Sequence, residues 1–245
     1  MTNRFIAAVV AATVLTLSGC DAGPSAEAER AASRALADPD PWAAWQSLNG
    51  LVPADWLADN TGIVTEKRKN ELALLQDASL IVYRRSLDAG RREAFLNLYD
   101  TKTPDRQAAL QKDYAPALLK MAEGAPGGRD DARLLLDAGV MVQKGRFIRR
   151  DGTVAAGLLA RAWYAGEPDA AFWLNQLYTD ENSGMTDPYS AYLWELRCAG
   201  RCRYADKARD PKPVLIAREM RQIQALASDA SVITVNGVGI SESER

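Results

Sequence analysis

The sequence predicts an all-α protein, a short α-solenoid of stacked helix–turn–helix units. Apolar residues recur at helical spacing through most of the 245 residues. Proline and glycine stand where helices begin and end. A helix-pair plan also repeats within residues 130–200.

The chain opens with a different signal. Asn3 and Arg4 form a short polar, positive start, residues 5–17 are apolar, and Leu17-Ser18-Gly19 leads into Cys20. About 13 apolar residues are too few to span a hydrocarbon core that needs about 20, so residues 1–19 read as a secretory signal. The ending resembles the lipobox of bacterial lipoproteins. That resemblance implies cleavage before Cys20, palmitate or a similar lipid on Cys20, and a chain held on the periplasmic side of the envelope. Asp21 resembles the enterobacterial signal for retention at the inner membrane. Residues 20–40, rich in Ala, Ser and Glu, are expected as a tether, with a weak helix as the other reading.

Helical code fills residues 41–226. Asp40-Pro41, Thr103-Pro104, Glu167-Pro168 and Asp187-Pro188 read as helix starts, since proline suits a first turn and a polar residue before it can cap. Ala89-Gly90, Ala138-Gly139, Ala165-Gly166 and Ala199-Gly200 read as stops. Gly139 has a second reading, as an internal glycine that lets a neighbouring helix come close. Leu72, Leu75, Ser79, Val82 and Ser86 mark one face of a long helix over 65–89. Leu134, Ala138, Met141 and Val142 mark another, and Leu158, Leu159, Ala162 and Trp163 a third. Residues 227–245 are expected as a tail or a short hairpin about Asn236-Gly237.

The repeat is visible by eye. Leu136 to Gly145, a loop with Asp151, and a helix closing on Ala165-Gly166 make one unit. Ala171 to Gly184, a loop with Asp187, and a helix closing on Ala199-Gly200 make the next. Gly166 and Gly200 are 34 residues apart, Gly145 and Gly184 are 39 apart, and a difference in loop length explains the drift. Ala89-Gly90 ahead of Leu98-Tyr99 is a fainter copy of Ala165-Gly166 ahead of Leu177-Tyr178.

At these positions the chain resembles the Sel1-like repeat family, relatives of tetratricopeptide repeats. Gly139, Gly145, Asp151, Ala156 and Ala162-Trp163-Tyr164 match one unit, and Gly184, Asp187, Ala191 and Ala199-Gly200 the other. The resemblance implies stacked helix pairs with a surface for another protein. Similar lipoproteins serve as scaffolds of envelope machinery, or as immunity proteins that occlude a secreted toxic effector such as a phospholipase.

Composition narrows the chemistry. The chain has no histidine, which removes Ser-His and Cys-His catalysis and the usual zinc sites. Carboxylate pairs, as used on cell-wall glycans, stay possible, although no pair stands out. The expectation is therefore a binding protein without enzymatic activity, metal or other cofactor. A net charge of −2 offers nothing to nucleic acid. Cys198 and Cys202 are expected to pair across Cys-Ala-Gly-Arg-Cys if the compartment is oxidising.

Ten of the 18 aromatic residues fall between Phe147 and Tyr204. Most of these suit packing between repeats. Tyr164, Trp173 and Tyr189, with Arg149 and Arg150 of the basic run Lys144, Arg146, Arg149 and Arg150, are the expected partner-binding residues. Asp180, Glu181 and Asp187 read as caps rather than a calcium loop, and Gly127-Gly128-Arg129 as a turn.

Overall fold

The computed structural model describes residues 23–51, 65–100, 108–208 and 215–235. Among them it is all-helical, with ten α-helices and no strand. Cys20, Asp21 and the Thr103-Pro104 start lie outside the described residues.

The chain divides into two compact units, one on each side of the Arg91–Arg92 bond, where a single repeat domain over 41–226 was expected. The first unit holds α1 (Ala26–Ala37), α2 (Pro41–Asn49) and α3 (Glu66–Asp88). Thr65 and Asp40 cap α3 and α2, and Pro41 opens α2. Helix α1 corrects the expectation of a tether over 20–40. Its four buried alanines, Ala28, Ala31, Ala32 and Ala35, follow helical spacing and pack on Leu75, Ala78 and Val82 of α3. Alanine carries little hydrophobicity, so composition alone suggests a solvated segment. A neighbouring apolar helix makes the same stripe a close-packing face. Both ends of α1 are tied down as well. The Ser25 N–H donates to Glu71 Oε1 at 3.1 Å, and the Arg85 guanidinium donates to the carbonyls of Leu36 and Asp38 at 2.8 and 3.1 Å.

The second unit comprises α4 (Arg92–Leu98), α5 (Ala108–Gly124), α6 (Ala132–Lys144), α7 (Gly152–Tyr164), α8 (Asp169–Thr179), α9 (Pro188–Cys198) and α10 (Ala217–Leu226). From α6 to α10 each helix packs on its neighbours in the chain, as solenoid stacking requires. The pairs α6–α7 and α8–α9 are built alike. Gly145 and Gly184 turn left-handed at φ 63° and 70°, conformations that glycine adopts without a Cβ clash. Asp151 Oδ1 then accepts the Val154 N–H at 2.9 Å, and Asp187 accepts those of Tyr189 and Ser190 at 3.0 and 3.2 Å. Gly166 and Gly200 end the pairs, also with positive φ. Gly139 is internal to α6, where a Cβ would meet Leu159 of α7 at 2.9 Å. Pro168 sits one place earlier than expected: it is the capping residue, and α8 begins at Asp169.

The residues after α10 have neither strand nor free-tail character as far as Val235. Val232 and Val235 are buried with Tyr192, Leu193 and Ile223. The Trp194 indole N–H donates to the Ile233 carbonyl at 3.0 Å, and the Val235 N–H donates to Ser190 Oγ at 2.9 Å. Side chains of α9 thus take the backbone groups that a hairpin partner would have taken. The remainder of the expected hairpin lies outside the described residues.

Candidate functional site

Two adjoining cavities open along α6 and α8, both within the second unit. The first, of about 200 Å³, is walled by one stripe of α6, with Arg133, Asp137, Met141 and Lys144 at helical spacing. Asp169 and Trp173 of α8 face it, four residues apart, and Tyr99, Phe147, Arg203 and Tyr204 close it. The second, of about 240 Å³, is lined by Gln143 and Lys144 at the end of α6, Arg150, Phe172, Trp173 and Gln176 of α8, and Asp180. Lys144 and Trp173 belong to both walls. The Lys144 ammonium stands 4.4 Å from the centre of the Trp173 ring, within cation–π range.

Two acids of the first cavity, Asp137 and Asp169, are held by arginines. Arg133 Nε donates to Asp137 Oδ2 at 3.0 Å, and Arg203 donates through N and Nε to Asp169 at 2.8 and 2.5 Å. Asp169 is 1% exposed, so its two bonds anchor the turn after α9 to the start of α8. Burial pushes the Asp137 carboxyl up to about 7, against the pull of Arg133, with Asp100 and Glu167 adding repulsion. Burial also raises the Tyr99 phenol, whose O–H donates to the Gln111 carbonyl.

The α6–α7 loop is the strained part. Phe147 has φ 69°, the one non-glycine residue with positive φ among those described. An aromatic side chain is rare in that region and the conformation costs free energy, so its surroundings must enforce it. Arg146 contributes on both sides: its guanidinium lies 4.8 Å from the Phe147 ring centre and donates to Gln111 Oε1 at 2.9 Å. Arg150 in the same loop pairs with Asp180 after α8.

Of the expected partner-binding residues, Trp173 and Arg150 line one cavity together. Arg149 is exposed in the same loop but is not part of the wall. Tyr164, 52% exposed, ends α7 and lines neither cavity. Tyr189 is turned toward α10, where its hydroxyl donates to Glu219 Oε1 at 2.8 Å. Phe172, Tyr178, Tyr192 and Trp194 are buried packing residues. Cys198 and Cys202 form a disulfide with Cα atoms 5.0 Å apart. Asp187 is a cap, and among the described residues no cluster of three or more Cys, Asp or Glu is placed to hold a metal ion. No described helix is long and apolar enough to cross a membrane.

Sequence reasoning missed Asp137, Gln143, Asp169 and Arg203. The spacing of Arg133 and Asp137, four apart on one helix, was a readable signal. Gln143 was readable too, as an amide interrupting an apolar helix face. Arg203 and Asp169 lie 34 residues apart with no local pattern to link them.

Fold and cavities together define an all-helical protein of stacked helix pairs with mixed aromatic and charged concavities along α6 and α8. Compared with known proteins, the chain matches no family model, no curated protein and no solved structure.

Proposed function

We propose that this chain is a lipid-anchored, Sel1-like repeat module of the periplasmic face of the envelope that holds another protein on the α6–α8 face. The observation that carries this is the shared wall of the two cavities, where Lys144 stands over Trp173 beside a strained basic loop. Aromatic and cationic side chains beside a concavity make effective anchors for a protein partner. Arginines pair with two acids of the first cavity, Arg133 with Asp137 and Arg203 with Asp169. Anchoring rests on Cys20, and Asp21 favours the inner membrane.

The test is crosslinking and affinity purification of the full-length protein from its native envelope, beside Cys20→Ser and Trp173→Ala versions. A single stoichiometric partner, lost with Trp173→Ala, is the expected result. A component of envelope machinery would make the protein a scaffold, and a secreted toxin an immunity protein. Recovery of the partner by Trp173→Ala at wild-type yield would remove the α6–α8 face from the proposal. Recovery of the protein alone would overturn a stable scaffold role.

A further inference from the structure

The loop between α6 and α7 enters left-handed backbone at two places and uses two different residues to do so. Gly145 has φ 63° and Phe147 has φ 69°. Glycine adopts that conformation freely, whereas the Cβ of a phenylalanine is strained there. The ring at 147 is therefore kept against a backbone preference, and such strain concentrates where a side chain serves binding. Phe147 is not a core residue: it is only partly buried, and it lies in the wall of the first cavity. It is also braced from a neighbouring element. The Arg146 guanidinium lies 4.8 Å from its ring centre and donates to Gln111 Oε1, and Gln111 Nε2 donates to the Leu98 carbonyl at 2.7 Å.

The rest of that wall defines the guest. Arg133 pairs with Asp137, Arg203 with Asp169, and the Tyr99 hydroxyl with the Gln111 carbonyl. Lys144, an exposed cation, rests against the Trp173 ring. No buried side-chain nitrogen or oxygen of this wall lacks a partner. A polar guest would thus give up water without finding a free buried partner, which costs free energy. An apolar guest needs none, and it gains by covering Phe147, Trp173, Tyr204, Leu136 and Val140. A closed apolar cavity of about 150 Å³ admits a benzene-sized guest. The space here, about 200 Å³, is on the scale of one large side chain.

We infer that Phe147 is a partner-binding residue, held in a strained conformation so that its ring walls a pocket for one apolar side chain of the partner. The inference rests on the protein-binding reading above and names the group by which the partner is anchored. Apolar side chains seated in such pockets are common anchors of protein interfaces.

The test is an NMR titration of the full chain carrying Cys20→Ser, following the Phe147 backbone N–H and the Trp173 indole N–H. The probes are N-acetyl-leucine amide and its near-isostere N-acetyl-asparagine amide. The leucine probe is expected to move both signals saturably, and the asparagine probe to bind about tenfold more weakly. Phe147→Gly and Phe147→Asn remove the ring with residues that suit left-handed backbone. Each is expected to stay folded and to bind the leucine probe about tenfold more weakly, read at the Trp173 indole. No saturable shift with the leucine probe, or equal binding of the two probes, overturns the pocket. Wild-type affinity in either folded variant overturns the role of Phe147. Loss of folding in both variants overturns it as well, because the ring is then a packing residue. Tighter binding of N-acetylglucosamine than of the leucine probe overturns the apolar guest in favour of a glycan. The affinity purification judges the protein-binding reading separately. A partner recovered at wild-type yield by folded Phe147→Asn would sink this pocket and leave that reading standing.

Discussion

A Cβ on Gly152 would lie 2.6 Å from the carbonyl oxygen of Ser183 and 2.6 Å from Met185 Cγ. Gly152 opens α7, and Ser183 and Met185 belong to the loop between α8 and α9, so this glycine lets one helix pair settle against the loop of the next. Gly139 performs the matching task within a pair, but its neighbour is the Leu159 side chain.

Gly152→Ala should therefore cost more stability than Gly139→Ala. A backbone carbonyl cannot step aside, and overpacking of that kind costs about 1–3 kcal/mol. At Gly139 the leucine can shift, and the helix propensity of alanine returns up to about 1 kcal/mol. Urea unfolding of both variants measures the order, and a larger loss for Gly139→Ala would refute this account of the stacking.

Asp137 predicts a slope in stability against pH. Its folded pKa of about 7 stands above the ordinary 3.8, so the folded protein keeps a proton that the unfolded chain releases between those values. Stability from this group is complete below about pH 4 and is lost as pH rises through about 7. Asp137→Asn removes that titration. Melting temperatures at pH 5 and pH 8 should show wild type losing ground to Asp137→Asn at the higher pH. Parallel behaviour of the two proteins would mean that Asp137 does not titrate in this range.

Arg197 holds the segment after α10. It is 4% exposed, and its guanidinium donates to the carbonyls of Ala227, Asp229 and Val232 at 3.2, 2.5 and 2.7 Å. Its plane also lies 4.6 Å from the Trp194 ring centre. Lysine cannot reproduce that fork, so Arg197→Lys should cost about 2 kcal/mol. Limited proteolysis should then cut residues 227–235 before any helix. Wild-type resistance in Arg197→Lys would show that the buried Val232 and Val235 suffice to hold the segment.

The parts of this fold legible in the sequence are those governed by near neighbours. Asp40 and Asp187 were readable as caps because a cap bonds to an N–H two or three residues on, and Thr65 and Asp151 cap their helices in the same way. Gly90, Gly166 and Gly200 were readable as stops because the left-handed conformation is a property of one residue. The apolar stripes of α3, α6 and α7 were readable through their period, and the doubled helix pair through its self-similarity.

By itself, then, the sequence determined the all-α class, most helix ends and the stacking plan, since each depends on residues within a few turns of one another. The tertiary structure alone decided that alanines 28–35 build a core, that the chain divides at Arg91–Arg92, that Val232 and Val235 dock on α9, and that Gln143 and Arg150 come to line one cavity. Those outcomes depend on which surface arrives from elsewhere in the chain. An alanine stripe is buried only if a neighbour covers it, and an amide on a helix stays unpaired only if packing removes both water and partners.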